Sequence, residues 1–228
     1  MQDFISKTQL APLVLLPAAG FGRRVGSPEA KELLPDENQR PLIEWSLEQA
    51  RTRGWPVHVV LREQKKALID YLEERRQIQE LSIQVISVSR DAMDSLLQSR
   101  PFWRARNLVL LPDTRFEPLG ALDQIADGLR ETPIVYGTFH VRAPAEWGCL
   151  RRTDQSFQVF EKCGPPSLDK AWGIIGFQNS VGEIVLQAHL RSYLSQESVD
   201  VSIAIDEVPL SRFDDVTRGP ASPEDFSK

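Results

Sequence analysis

The chain has 228 residues, 41% hydrophobic and 26% charged, an ordinary soluble composition with enough length for one large core, and it reads as a single domain over residues 1–228. A net charge of −5 at pH 7 argues against nucleic acid as the main partner, because a binder of backbone phosphates carries a basic surplus. The only cysteines, Cys149 and Cys163, have neither metal-ligand nor disulfide-framework spacing, and no segment approaches the ~20 apolar residues that span a bilayer, so reduced thiols, the cytoplasm and no membrane association are expected.

The apolar run Leu13–Leu16 predicts a buried strand. It feeds a small-residue loop, Ala18, Ala19, Gly20 and Gly22, followed by Arg23, Arg24 and, in an AKELLP segment, Lys31. Small side chains leave backbone N–H groups uncovered and the cations add charge at side-chain range, so a phosphate chain is the expected ligand. Pro41 to Arg53 reads as a helix stopped by Gly54, and Val57–Leu61 as a strand. Arg62–Gln77 reads as a helix whose charge run is its wet face, and Ile83–Val88 as a strand. Asp91 is placed as the cap of a short helix ending at Gln98.

Leu108–Leu111 predicts another buried strand, ending at Pro112-Asp113, and Leu119–Arg130 a helix leading to a strand at Ile134–Val141. This alternation predicts an α/β fold of Rossmann-like type: a mixed, mainly parallel sheet sandwiched by helices, with ligands at the strand carboxyl ends. Beyond Trp147 the short alternating segments Cys149–Arg152 and Phe157–Phe160, and the buried run Trp172–Phe177, predict a small antiparallel annex; a helix over Val181–Leu194 follows. Residues 13–142 are read as one half of the domain, 143–213 as a second half that could wall another pocket, and 214–228 as a tail rich in Pro, Gly and acidic residues. His58, His140 and His189 show no ligand spacing and are read as structural.

PAAGFGRR, AKELLP and RPLIEW resemble the opening motifs of the sugar-1-phosphate nucleotidyltransferases, the pyrophosphorylases that make nucleotide sugars. The resemblance implies that Ala18, Ala19, Gly20, Gly22, Arg24 and Lys31 hold a nucleoside triphosphate. It implies that Asp113 and Asp215, the latter in FDDVTRGPASPEDF, hold one Mg²⁺, which takes one or two carboxylates and completes its octahedron with phosphate oxygens and water. Trp147-Gly148, Glu161-Lys162 and the strand around Gly173 resemble the family's sugar-phosphate pocket. By that resemblance Glu161 accepts sugar hydroxyls, and Lys162 holds the phosphate that attacks the α-phosphorus without a general base. Arg24 and Lys31 would offset charge on the departing pyrophosphate. Neighbouring strand residues point to opposite faces, which leaves open that one of Glu161 and Lys162 is merely solvated.

Pro112 and the glycine-free segment Ser87–Ser99 depart from the family pattern, so no nucleobase is implied. Two alternatives stay open: a cytidylyltransferase of a non-sugar alcohol phosphate, and a non-catalytic relative that binds nucleotide or nucleotide sugar. Oligomeric state, including a homo-oligomer, is open as well.

Overall fold

The computed structural model describes residues 11–20, 30–153 and 155–215. Gly22, Arg23, Arg24 and the chain beyond Asp215 therefore lie outside the described residues. Two compact units are present: the first gathers the described residues up to Arg115 together with Asp215, and the second runs from Phe116 to Asp214.

In the first unit, β1 (Leu13–Pro17) is buried at every position. It pairs in parallel with β2 (Val57–Arg62) on one side and β4 (Arg106–Leu110) on the other, while β3 (Leu81–Ile86) pairs in parallel with β2. The spatial order β4-β1-β2-β3 explains the unbroken apolar runs of β1 and β2, since a parallel strand inside a helix-covered sheet has no wet face. β3 lies outermost in this set, and Val85 is exposed there.

The helices follow from the same burial pattern. α1 (Leu42–Thr52) starts behind Pro41 and buries Leu42, Ile43, Ser46, Leu47 and Ala50; Gly54 ends the segment with a positive φ of 65°. α2 (Lys66–Arg75) buries only Leu68 and Leu72, a one-turn stripe on a charged helix. α3 (Ala92–Gln98) begins as the sequence predicts, with the Asp91 carboxylate accepting from the backbone N–H of Asp94 at 2.8 Å.

The chain changes units inside β5 (Thr114–Glu117), which forms a two-stranded ribbon with β12 (Arg212–Asp215). The second unit contains α4 (Ala121–Gly128), β6 (Ile134–His140), β7 (Gly148–Arg152), β8 (Phe157–Glu161), β9 (Lys170–Gln178), α5 (Asn179–Ser195), β10 (Val199–Val201) and β11 (Ile205–Pro209). Its strands lie in the order β11-β6-β9-β7-β8-β10. Only the β11–β6 pair is parallel. The architecture is thus α/β: a parallel core around β1, and antiparallel strands built on β9. α5 buries Val185, Leu186, Ala188, His189, Leu190 and Ser192 and packs on β8, β9 and β10. No helix among the described residues is long and apolar enough to cross a membrane.

Candidate active site

In the first unit, the loop after β1 and the turn after β4 leave the carboxyl ends of neighbouring parallel strands, with Leu15 level with Val109. Such ends are where ligands bind in open α/β sheets. Ala18 continues the ladder, its N–H donating to the Val60 carbonyl at 2.8 Å, and Ala19 packs with Val60 and Ile86. Gly20 is exposed, with open space where a side chain would stand.

Lys31 opens a short 3-10 turn, Lys31–Leu33, and its ammonium donates to Oδ2 of Asp113. Asp113 stands in a turn closed by the Thr114 hydroxyl, which donates to the Leu111 carbonyl at 2.9 Å. Burial pulls the Lys31 pKa down, but the Asp113 charge and hydrogen bond, with Glu32 and Asp215, outweigh it and hold the pKa above its ordinary value. Asp215 is thus close enough to act on the same ammonium.

Next to them, Glu32 is fully buried and both its carboxylate oxygens accept from Nζ of Lys65 at 2.8 Å. Burial lowers the Lys65 pKa, Glu32 pulls it back up, Lys31 lowers it further and Asp113 raises it, with a net fall. The four side chains of the two ion pairs thus form one electrostatic cluster. The charge run Arg62–Arg76 was expected to be a wet helix face, and at its start this is corrected: Arg62 is buried and the Lys65 side chain is only 10% exposed. Both precede α2 at the carboxyl end of β2, so the turn rather than the helix sets their direction.

A third contact fixes the distance between the Lys31 turn and Asp113. Arg115 donates to Asp36 at 2.6 Å and to Glu37 at 2.5 Å. Asp36 in turn accepts from the backbone N–H groups of Asn38 and Arg40. These bonds, led by that from Arg40, hold its carboxyl below the usual carboxylate range.

In the second unit, Gly148 lies opposite Glu161 in the β7–β8 ladder. Oε1 of Glu161 accepts from Nε1 of Trp172 at 2.8 Å and meets Nδ1 of His189 at 2.6 Å, while Nε2 of His189 meets the Tyr136 hydroxyl at 2.8 Å. A side chain at position 148 would begin 2.0 Å from Nε1 of Trp172 and 2.8 Å from Oε1 of Glu161, so only glycine admits this hydrogen bond. Gly148→Ala is expected to lower stability by about 1–3 kcal/mol through overpacking, read by urea unfolding.

Lys162 does not continue the strand. Its φ of 59° takes it out of the alternation that would have pointed it away from Glu161, and its ammonium sits 5.3 Å from the centre of the Tyr193 ring. Gly173 admits Phe213, whose ring atoms would lie 2.4 Å from a Cβ there; Phe213 also stacks on Phe139 at 4.4 Å. The four residues expected from the sequence to form the acceptor pocket, Gly148, Glu161, Lys162 and Gly173, all fall in this unit. His189 and Tyr136 complete the cluster, and no local sequence signal marked either.

Cys149 is buried, and burial, reinforced by the Glu161 charge, pushes its thiol up to about 12. At pH 8 about one part in ten thousand would be thiolate, so iodoacetamide should leave Cys149 unlabelled in the native protein and modify it only after unfolding, read by mass spectrometry.

No family model matches the chain, and no curated protein matches it. Solved structures do share its fold. A protein assigned as a glucose-1-phosphate thymidylyltransferase from Bacillus anthracis, in complex with a sucrose, aligns over 91% of this chain and 90% of its own, with TM-score 0.72 and 15% identity. A UDP-glucose pyrophosphorylase complexed with UDP-glucose aligns over 91% and 94%, with TM-score 0.67 and 17% identity. A UDP-glucose pyrophosphorylase from Acinetobacter baumanii aligns over 91% and 89%, with TM-score 0.67 and 14% identity. The chain therefore has the fold found in these sugar-nucleotide enzymes.

Proposed function

We propose that the protein is a nucleotidyltransferase that moves a nucleoside monophosphate from a nucleoside triphosphate to a sugar 1-phosphate. A phosphate oxygen of the sugar phosphate attacks the α-phosphorus, the bond from that phosphorus to the β-phosphate oxygen breaks, and pyrophosphate leaves. No proton need move, so no general base is required. The observation that carries this reading is the Lys31–Asp113 pair at the carboxyl end of a buried parallel strand, with Asp215 acting on the same ammonium.

Asp113 and Asp215 are hard oxygen donors, and two carboxylates suit Mg²⁺, which completes its octahedron with phosphate and water oxygens, better than a softer ion. These residues fit, and Asp113 and Asp215 would hold the ion. Mg²⁺ bound there would neutralise charge on the triphosphate. The chain's own residues supply the rest: Lys31 moves from Asp113 onto a phosphate oxygen, assisted by Arg24 and by the loop from Ala18 to Gly22. Glu161 accepts from hydroxyls of the acceptor, and Lys162 holds its phosphate. Partners are small molecules, and the setting proposed is the cytoplasm of the cell.

The test is a grid of nucleoside triphosphates against sugar 1-phosphates and other alcohol phosphates with Mg²⁺, read by pyrophosphate release. Release that requires both a triphosphate and a sugar 1-phosphate is expected. Release only with CTP and a non-sugar alcohol phosphate would replace the sugar assignment. Nucleotide binding without release anywhere on the grid would overturn the enzymatic one.

A further inference from the structure

His189 lies in the middle of α5, wholly buried, and is the one histidine whose two ring nitrogens both meet side chains of the second unit's polar cluster. The Tyr136 hydroxyl is wholly buried as well, and Nε2 of His189 is its partner. Burial, with the Glu161 charge, keeps the phenol protonated far above its ordinary range. A carboxylate oxygen only accepts, so Nδ1 donates to Oε1 of Glu161, and in a ring that carries its one proton there Nε2 accepts from the Tyr136 hydroxyl.

Oε1 thus takes two donors, the His189 ring and the Trp172 indole, and no group among the described residues donates to Oε2. Oε2 is not sealed off, because the Glu161 side chain retains some exposure and Oε2 is not among the buried unpartnered atoms. The backbone beneath is fixed as well, the Glu161 N–H donating to the Ser192 hydroxyl of α5 at 2.9 Å. One oxygen is anchored by the protein and the other is presented.

We propose that Tyr136 and His189 form a positioning relay, Tyr136 to His189 to Glu161, which locks the Glu161 carboxylate so that Oε2 alone receives a hydroxyl of the acceptor. This rests on the role proposed above for Glu161 and adds two residues that never touch substrate. Two donors converging on one oxygen remove the carboxylate's freedom to turn, so the ordering cost is met on folding rather than on binding.

The test uses the full-length protein with Tyr136→Phe, His189→Asn and His189→Leu. Tyr136→Phe removes one oxygen and keeps the ring, and His189→Asn returns an N–H donor at the position of Nδ1, so both should fold even where His189→Leu does not. Long-range ¹H–¹⁵N correlation on histidine-labelled wild type should show the proton on Nδ1, and in Tyr136→Phe, where Oε1 of Glu161 still accepts from Nδ1 but Nε2 has lost its hydroxyl partner, the proton should stay on Nδ1 while the Nε2 resonance shifts. Steady-state kinetics should show KM for the sugar 1-phosphate raised about tenfold in Tyr136→Phe and more in His189→Leu, with His189→Asn closer to wild type. KM for the triphosphate should stay within about twofold.

An Nε2-protonated ring in wild type, or variants that change both KM values equally, would overturn the relay. If wild type releases no pyrophosphate with any acceptor, the proposed reaction fails by itself. Calorimetric binding of glucose 1-phosphate, together with the tautomer, then decides the relay: a Nδ1-protonated ring and weaker binding in Tyr136→Phe support it, and unchanged binding rejects it.

Discussion

Asp113→Asn should reduce turnover at least about a hundredfold while moving the thermal midpoint by no more than about 5 °C. The substitution keeps the size of the side chain and an oxygen able to accept from Lys31, but it removes the negative charge. That charge has two proposed uses: it pairs Lys31 in the free protein and binds Mg²⁺ once nucleotide arrives. Losing the second removes charge stabilisation where negative charge crowds around the α- and β-phosphates, which is the term that dominates reactions of this kind. Losing the first costs little, because Lys31 is partly exposed and can turn its ammonium to water. Pyrophosphate release and differential scanning fluorimetry on the same sample separate the two effects. Full activity at unchanged Mg²⁺ dependence would remove Asp113 from the site, and a large fall in midpoint would make its role structural.

Strand β1 and the place of Asp113 just after β4 were legible in the sequence because each depends on local pattern. A short unbroken apolar run bounded by turn residues fits a buried strand, and an acid directly after such a run stands at a strand's carboxyl end, where open α/β sheets bind ligands. The short strands β5, β10 and β12 were not legible, since TRFE, VDV and RFDD carry no alternation long enough to set a period. β6 was expected to extend the parallel series. Instead β9 pairs with it antiparallel, and its parallel neighbour is β11, which arrives from 65 or more residues later in the chain.

The site divides along the same line. Lys31 was legible from its AKELLP segment, whereas Lys65 was hidden in a charge run whose average character is a wet surface. Only the fold shows that Lys65 precedes the helix and turns back toward Glu32, 33 residues away. His189 was equally hidden, being 28 residues from Glu161 and 53 from Tyr136. A buried polar network is assembled by tertiary packing, and its members carry no shared spacing.

The Glu32–Lys65 pair offers the largest expected effect on stability. Glu32→Leu should lower the free energy of unfolding by about 3–5 kcal/mol, because it leaves the Lys65 ammonium largely buried with its carboxylate partner gone. Lys65→Met should do comparable damage by stranding a fully buried carboxylate. The double variant should recover most of the loss, since two apolar side chains of similar length remove both desolvation penalties together. Urea unfolding of the four proteins gives the coupling energy directly. A double variant as unstable as the sum of the single changes would mean that the two residues do not act as a pair. Activity gives a separate reading: burial already lowers the Lys65 pKa, and Lys31 and Asp113 both act on it, so removing the pair changes the field at the ammonium meant for phosphate. A folded double variant with reduced turnover and a raised triphosphate KM would place the pair's second effect on Lys31, and unchanged kinetics would confine it to the fold.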